Sequence, residues 1–517
     1  MQGKPGPAFL GYPFWPDPLP VGPTRENAMS LYENARLLID GELVAAKSGK
    51  TFDNINPATE EVIGQVPDAG AEDAERAIAA ARRAFDESEW ATNHELRARC
   101  LRQLRDGLTE RLEELRKITV SEVGMPLQMT YGPGLDSGVG WLGDYADHLD
   151  QFEWKKDMGV AEIMGSKTRR FLLREPRGVM AAITPWNVPN DINMKKLGWA
   201  MAAGCTVVMK GAPTTSWCSN FLAEIIATKT DVPAGAVNIL TSADNAAVGE
   251  LLTNDPRIDM VGFTGSTGVG KHIGEVCGRN LKPVQLELGG KSAAIIMPDM
   301  PNLPMIAGAM GASVCFHAGQ GCAIMTRLLV PKSELDACAD ALAESMKNVK
   351  WGDPFDPENL MGPLNSTMQR ERVEGHVARA IEQGAKLLVG GKRSERHDKG
   401  YFYEPTAFIA DENADIAQNE VFGPVQTLIG YEDEADMIRI ANNSRYGLSG
   451  GIMGPDVEKA IEVASKIRTG TLSVCGGMYY NWDVPFGGYK ESGIGREHSF
   501  IGFEEHLESK TIAIPAG

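Results

Sequence analysis

Nowhere in the 517 residues does an apolar run approach the roughly 20 consecutive positions that a bilayer-spanning helix needs. The first residues also lack a basic segment followed by an apolar core, so no secretory leader is expected. Positive charge is in short supply. Fifty-one Lys and Arg stand against 69 Asp and Glu, and the formal net charge of −18 argues against nucleic acid or an anionic membrane as a partner. The eight cysteines, at 100, 205, 218, 277, 315, 322, 338 and 475, have no paired spacing, which excludes a disulfide framework. No Cys/His cluster has zinc-ligand spacing, so no metal site is expected. Reduced thiols in a long chain of this kind imply a cytoplasmic protein.

What is present is ordinary globular material, 43% hydrophobic and 23% charged, enough for about three domains. Residues 1–30 form a proline-rich arm in which Phe9, Tyr12, Phe14 and Trp15 stand between seven prolines. Such density excludes helix and predicts an extended segment laid on the body or on a neighbouring subunit. Asp40-Gly41 is a hairpin turn signal. Ala74, Ile78, Ala81 and Phe85 fall at helical spacing, and a second helix is expected from Glu95 to Val120. Val160 to Leu173 reads as a hairpin turning at Gly165-Ser166, and Lys510 to Ile514 as a terminal strand that could extend a partner's sheet. Between them, apolar strands at 178–183, 206–209, 236–240 and 260–263 alternate with helices, and a second alternating block begins at Ala293. Alternation of this sort predicts an α/β protein of two doubly wound parallel sheets, with ligands at the carboxyl ends of strands.

The stretch around which the chain is organised is Gly319-Gln320-Gly321-Cys322-Ala323, a glycine-bracketed cysteine. Upstream, Glu287 closes a strand-like run before Gly289-Gly290-Lys291. A thiol able to attack and a carboxylate able to activate water make a two-step acyl-transfer device. Asn187, locked in the turn Thr184-Pro185-Trp186-Asn187-Val188-Pro189, offers an amide that can stabilise an oxyanion or else merely satisfy turn backbone. Lys210, at the end of another strand, reads either as a ligand for ribose or phosphate or as a solvated edge charge. The loop Thr264-Gly265-Ser266-Thr267-Gly268-Val269-Gly270-Lys271 lets backbone approach a pyrophosphate at a helix start. His272 stands where a nucleotide-triphosphate loop needs Ser or Thr, which sets that reading aside. Glu287 could alternatively be a strand-end carboxylate paired with Lys291.

These motifs, with Glu420-Val421-Phe422-Gly423-Pro424 and Pro485-Phe486-Gly487-Gly488-Tyr489-Lys490, stand in an order that resembles the NAD(P)-dependent aldehyde dehydrogenase superfamily over roughly residues 36–517. The resemblance implies Cys322 as nucleophile, Glu287 as general base for hydrolysis, and Asn187 with the Cys322 N–H as oxyanion hole. It places Trp186 and Val269 beside adenine, Lys210 on the adenosine ribose, and Gly265 and Ser266 at the pyrophosphate. Glu420 would hold the nicotinamide ribose, with Phe422 against the ring and Leu288 near the carboxamide; Gln369 and Arg372 align with cofactor-side helix positions. It further implies a cofactor-binding domain at 31–156 and 175–288, oligomerisation strands at 157–174 and 506–517, a catalytic domain at 289–505, and a homodimer or homotetramer.

Two departures bear on specificity. Pro213 stands where many members have a carboxylate that grips ribose hydroxyls, so NAD is expected and NADP stays open. His317-Ala318 replace the commoner Asn-Gln pair, which bears on pocket shape. The expected reaction is oxidation of an aldehyde to its acid through a Cys322 thioester. The alternatives are transfer of the acyl group to CoA, and a catalytically silent binding protein on the same fold. Met478 to Trp482, with Val188, Phe316 and Met325, suggest an apolar or aromatic aldehyde.

Overall fold

Runs of small and branched apolar residues bounded by turns become strands covered on both faces, and here they build two large sheets. The computed structural model describes residues 32, 33 and 35–516; the proline-rich arm at 1–30 lies outside the described residues. In the first sheet five strands run parallel, in the spatial order Val284–Glu287, Met260–Thr264, Val179–Ile183, Thr206–Lys210 and Val237–Leu240. Every residue of Val179–Ile183 and its two neighbours is buried. The chain enters at Val179–Ile183, winds outward to one side, then returns to the other. The order therefore reverses between Val179–Ile183 and Met260–Thr264, and a crevice opens at their carboxyl ends.

The hairpin Leu37–Ile39/Glu42–Val44 extends this sheet beyond Val237–Leu240. Its turn has Asp40 at φ 57° and Gly41 at φ 79°, the left-handed pair that a two-residue hairpin requires. At the opposite edge Gly493–Ile494 returns from late in the chain to pair with Val284–Glu287.

The expected helix 95–120 is two helices, His94–Glu110 and Leu112–Val123. Arg111 (φ −118°, ψ 25°) breaks them. Its guanidinium reaches Glu114 and Glu224 and lies 4.5 Å over the Phe221 ring, tying the break to the helix Ser216–Lys229. Glu122 anchors the same helix from the other side: its carboxylate accepts from the first-turn amides of Trp217 and Cys218 at 3.0 and 2.7 Å.

Only Leu288 to Lys291 separate the last parallel strand of the first sheet from Ser292–Ile296 of the second. The second sheet has the order Lys386–Val389, Thr406–Ile409, Val425–Tyr431, Met325–Pro331, Ser292–Ile296, Gly450–Met453 and Ser473–Val474, parallel except at its first pair. The protein is thus an α/β molecule of two such sheets. Cys322 immediately precedes Met325–Pro331, so the second sheet presents an amino end to the crevice where the first presents carboxyl ends.

A third sheet stands apart. Lys155–Ile163 and Ser166–Pro176 form the predicted hairpin, but it turns at Met164-Gly165, where φ is 52° and 78°, and not at Gly165-Ser166. The terminal strand Leu507–Pro515 pairs with residues 168–176 in its own chain, where the sequence allowed for a partner's sheet.

Candidate active site

Val188 caps the helix Pro189–Ala203 and Pro189 opens it, so the turn delivering Asn187 is fixed by the helix start. Asn187 is buried, and its Nδ2 donates to the carbonyl of Gln320 at 3.0 Å, two residues before Cys322. One amide N–H remains for a substrate oxygen. His317 Nε2 donates to the Asn187 carbonyl at 2.8 Å. Burial holds that imidazole down at about 4, so the ring is neutral and serves as a fixed donor. Gln320 completes the clamp, accepting from the Asn365 amide at 2.8 Å and donating to the His317 carbonyl at 3.2 Å. The replacement of Asn by His at 317 therefore bears on how Asn187 is held as well as on shape.

Glu287 ends its strand beside Cys322, near enough for the two groups to act on each other's ionisation, and its buried Oε1 has no hydrogen-bond partner among the described residues. A Cβ at Gly290 would stand 2.3 Å from the Cys322 carbonyl oxygen, and one at Gly289 2.4 Å from Glu420 Oε2, so the paired glycines are what lets these segments touch. Glu287 is not paired with Lys291, whose buried Nζ has no hydrogen-bond partner among the described residues. Burial, helped by the charge of Glu497, pushes the Glu287 carboxyl up to about 8. Burial and the carboxylates of Glu287 and Glu420 push the Cys322 thiol well above its usual value. Both groups rest protonated, and no helix start favours a thiolate.

The remaining predicted residues surround the crevice. Trp186 and Phe422 meet edge to face at 5.4 Å. Gln369 Nε2 donates to the Phe422 carbonyl at 2.8 Å, fixing that ring's backbone, while Arg372 is exposed. Glu420 Oε1 accepts from the Gly290 amide at 2.9 Å, and burial pushes its carboxyl up to about 7. The Gly265 amide donates to the Glu287 carbonyl at 3.0 Å. Ser266 precedes the helix Thr267–Arg279; Ser266, Gly268 and Val269 are exposed at its start, and Leu288 is buried beneath Gly270. Lys210 is not a solvated edge charge. It is fully buried, its Nζ bonds Asn245 Oδ1 and the Gly211 carbonyl, and burial lowers it to about 8.

Asp191, Lys195, Lys196 and Glu497, a buried charged group whose field reaches both Glu287 and Cys322, had no place in the sequence reading. The signal for the first two was an i,i+4 acid–base pair inside an otherwise apolar helix.

The family model described as the aldehyde dehydrogenase family matches residues 43–512. The chain belongs to that family. It is 37% identical over 478 residues to a 3-succinoylsemialdehyde-pyridine dehydrogenase of a Pseudomonas species, covering 92% of this chain and 97% of the relative. It superposes on a Mycobacterium tuberculosis aldehyde dehydrogenase complexed with NAD+ with a TM-score of 0.88 at 38% identity, over 93% of this chain and 98% of the other. It matches betaine aldehyde dehydrogenase of Staphylococcus aureus, in complex with NAD+, with a TM-score of 0.89 at 37% identity, over 93% and 94% of the two chains. This dehydrogenase is therefore an oxidoreductase of the aldehyde class. Among its described residues no helix is long and apolar enough to cross a membrane and no His, Cys, Asp and Glu group could hold a metal.

Proposed function

We propose that this dehydrogenase oxidises an aldehyde to its carboxylic acid with NAD+, through a covalent acyl group on Cys322. The observation that carries the proposal is the convergence of the Cys322 segment on the loop that ends the Glu287 strand, where a Cβ at Gly290 would stand 2.3 Å from the Cys322 carbonyl oxygen, with Asn187 bonded to the Gln320 carbonyl beside them. The residues at the crevice suit a dinucleotide: Ser266, Gly268 and Val269 leave a helix start open, and nothing stands within 4 Å of where a Gly268 Cβ would be. Trp186, Lys210, Gly265, Ser266 and Val269 would hold the adenosine half, and Leu288, Glu420 and Phe422 the nicotinamide half. When bound, the oxidised nicotinamide supplies the hydride acceptor.

Cys322 Sγ attacks the carbonyl carbon as its proton leaves to solvent. The spare Asn187 N–H and the Cys322 amide receive the developing oxyanion. Once the carbon has lost its hydride the Cys322 acyl group is a thioester. Glu287, deprotonated, then takes a proton from water, and the hydroxide attacks that thioester to release the acid. A CoA-acylating enzyme would need no such base, and the buried Glu287 favours hydrolysis.

Val188 and Phe316 pack against Val123, Met125 and Met129, which gives the substrate's body an apolar or aromatic wall. The domain bounds 31–156 with 175–288, and 289–505, draw their support from the two sheets, with Gly493–Ile494 of the later range crossing over to pair with the first. The three-stranded sheet supports a homodimer or homotetramer, because Val160, Ile163, Ile512 and Ile514 are all exposed on it. The deciding experiment is NADH absorbance with an aldehyde panel, with and without CoA. NADH and free acid without CoA are expected; no turnover, or strict dependence on CoA, ends the proposal.

A further inference from the structure

The helix Pro189–Ala203 is buried along its whole length, yet it carries Asp191 and Lys195 one turn apart, with side chains only 2% and 3% exposed. Lys195 Nζ stands 3.3 Å from Asp191 Oδ2, 3.5 Å from Glu497 Oε2 and 3.2 Å from the Tyr480 hydroxyl. An ammonium has three donors, so these three acceptors use it up. The Tyr480 hydroxyl in turn donates to Asp191 Oδ2 at 2.6 Å. The second oxygen, Asp191 Oδ1, is buried with no hydrogen-bond partner among the described residues. A buried carboxylate oxygen left bare is costly, and a fold that holds one in place with two neighbours has prepared an acceptor.

Three observations put that oxygen's surroundings on the substrate's path. Glu497, held by Lys195 and Lys196, accepts from Thr264 Oγ1 at 3.3 Å, and Thr264 pairs with Glu287 on the neighbouring strand. Asp191 lies four residues beyond Asn187 on a rigid helix. Tyr480 is half-buried and meets the Phe486 ring at 5.8 Å, so the cluster reaches from the buried helix to the partly exposed segment before Pro485. Lys196, paired with Glu497 at 2.7 Å, neutralises the other acid and leaves Asp191 as the acceptor with unused capacity.

We propose that Asp191, held by Lys195 and Tyr480, selects aldehydes that carry a hydrogen-bond donor, a hydroxyl or an amino group, at the end away from the carbonyl. The inference rests on the aldehyde-oxidation reading and adds the substrate class to it. The apolar wall takes the body of such a molecule and Asp191 Oδ1 takes its donor. An aldehyde ending in a carboxylate is disfavoured, because Lys195 has no donor left and Asp191 repels it. A hydrocarbon end leaves Asp191 Oδ1 unpaired.

The test uses matched aldehydes in which a hydroxyl replaces a methyl: glycolaldehyde against propanal, and para-(hydroxymethyl)benzaldehyde against para-ethylbenzaldehyde, with para-carboxybenzaldehyde as the anionic member. The full-length enzyme should favour the hydroxyl member of at least one pair by about tenfold or more in kcat/KM, with the carboxylate poorest. Asp191→Leu should bring that ratio toward one; Asp191→Asn, which keeps the shape, should lower it even if the leucine variant fails to fold. Ratios at or below one in both pairs, or a ratio that survives in folded variants, overturn the inference. Turnover of the methyl members shows aldehyde oxidation standing while this inference falls, whereas no turnover of any aldehyde removes both.

Discussion

The Cys322 thiol lies beside the buried Glu287 carboxyl; burial makes both harder to ionise, and the carboxylate charge of Glu287 raises the thiol further. A nucleophile and its base at rest in this way are protected from oxidation and stray reaction until a substrate and cofactor change their surroundings. Cys322→Ala is expected to remove all turnover. Glu287→Gln should leave one equivalent of NADH formed rapidly, followed by a steady rate slower by roughly a hundred- to ten-thousand-fold. Stopped-flow absorbance distinguishes them, and full steady-state activity in either variant removes the assignment.

The same carboxyl gives a pH signature. Glu287 titrates at about 8 against an ordinary 4.5, so the base form that deacylates is the minor one near neutrality and kcat should rise through about pH 8. For stability the sign is opposite. A group whose folded value is raised favours folding fully below its unfolded value, and that contribution is lost as pH climbs through the folded one. Between about pH 5 and about pH 9 the wild-type Tm should therefore fall further than that of Glu287→Gln. Calorimetry of the two proteins checks this, and parallel curves contradict it.

Asn187 offers a second handle on the chemistry. With one amide N–H given to Gln320 and one left for substrate, Asn187→Ala should cost about 3 kcal/mol of transition-state stabilisation, roughly a hundredfold in kcat. KM should change far less, as a donor used mainly in the transition state requires. A KM effect alone, with kcat intact, would make Asn187 only a loop anchor.

Cofactor choice turns on the loop after Lys210. Pro213 opens a short helical turn, Pro213–Thr215, and the hydroxyls of Thr214 and Thr215 are buried without partners among the described residues. Pro213→Glu puts a carboxylate near the ribose, where it grips hydroxyls and repels a phosphate. The ratio of kcat/KM with NADP to that with NAD should drop about tenfold or more, read by paired assays. An unchanged ratio separates position 213 from the ribose.

The exposed branched residues of the three-stranded sheet give a test of assembly. Ile514→Glu, at a position 45% exposed, introduces charge without touching a buried contact. Light scattering should show a smaller particle at equal concentration, and an unaltered mass would clear this sheet of an assembly role.

Much of this was written in the sequence. The alternation of strands and helices announced both sheets, and glycines flanking Cys322 and following Glu287 marked places where backbones must come within contact. What could not be read was the pairing of distant charges. Glu497 lies 301 positions from Lys196 and reads as one of many acids in a polar tail, and only folding sets its carboxylate against that ammonium. Lys210 looked like a surface charge because lysines at strand ends usually are, and the Asn245 side chain with the Gly211 carbonyl gives its buried ammonium partners inside. The split at Arg111 was hidden since arginine is a good helix former; its two acidic partners and the Phe221 ring decide the break.

The strand Leu507–Pro515 lies beside residues more than 300 positions earlier, as the Arg174–Ser509 bond with a separation of 335 shows. A ribosome must therefore have made Leu507–Pro515 before the hairpin Lys155–Pro176 receives its third member, and until that moment one row of amides and carbonyls waits bare. Any partner that meets this sheet therefore meets an edge set by a strand made more than 300 residues after the hairpin it completes.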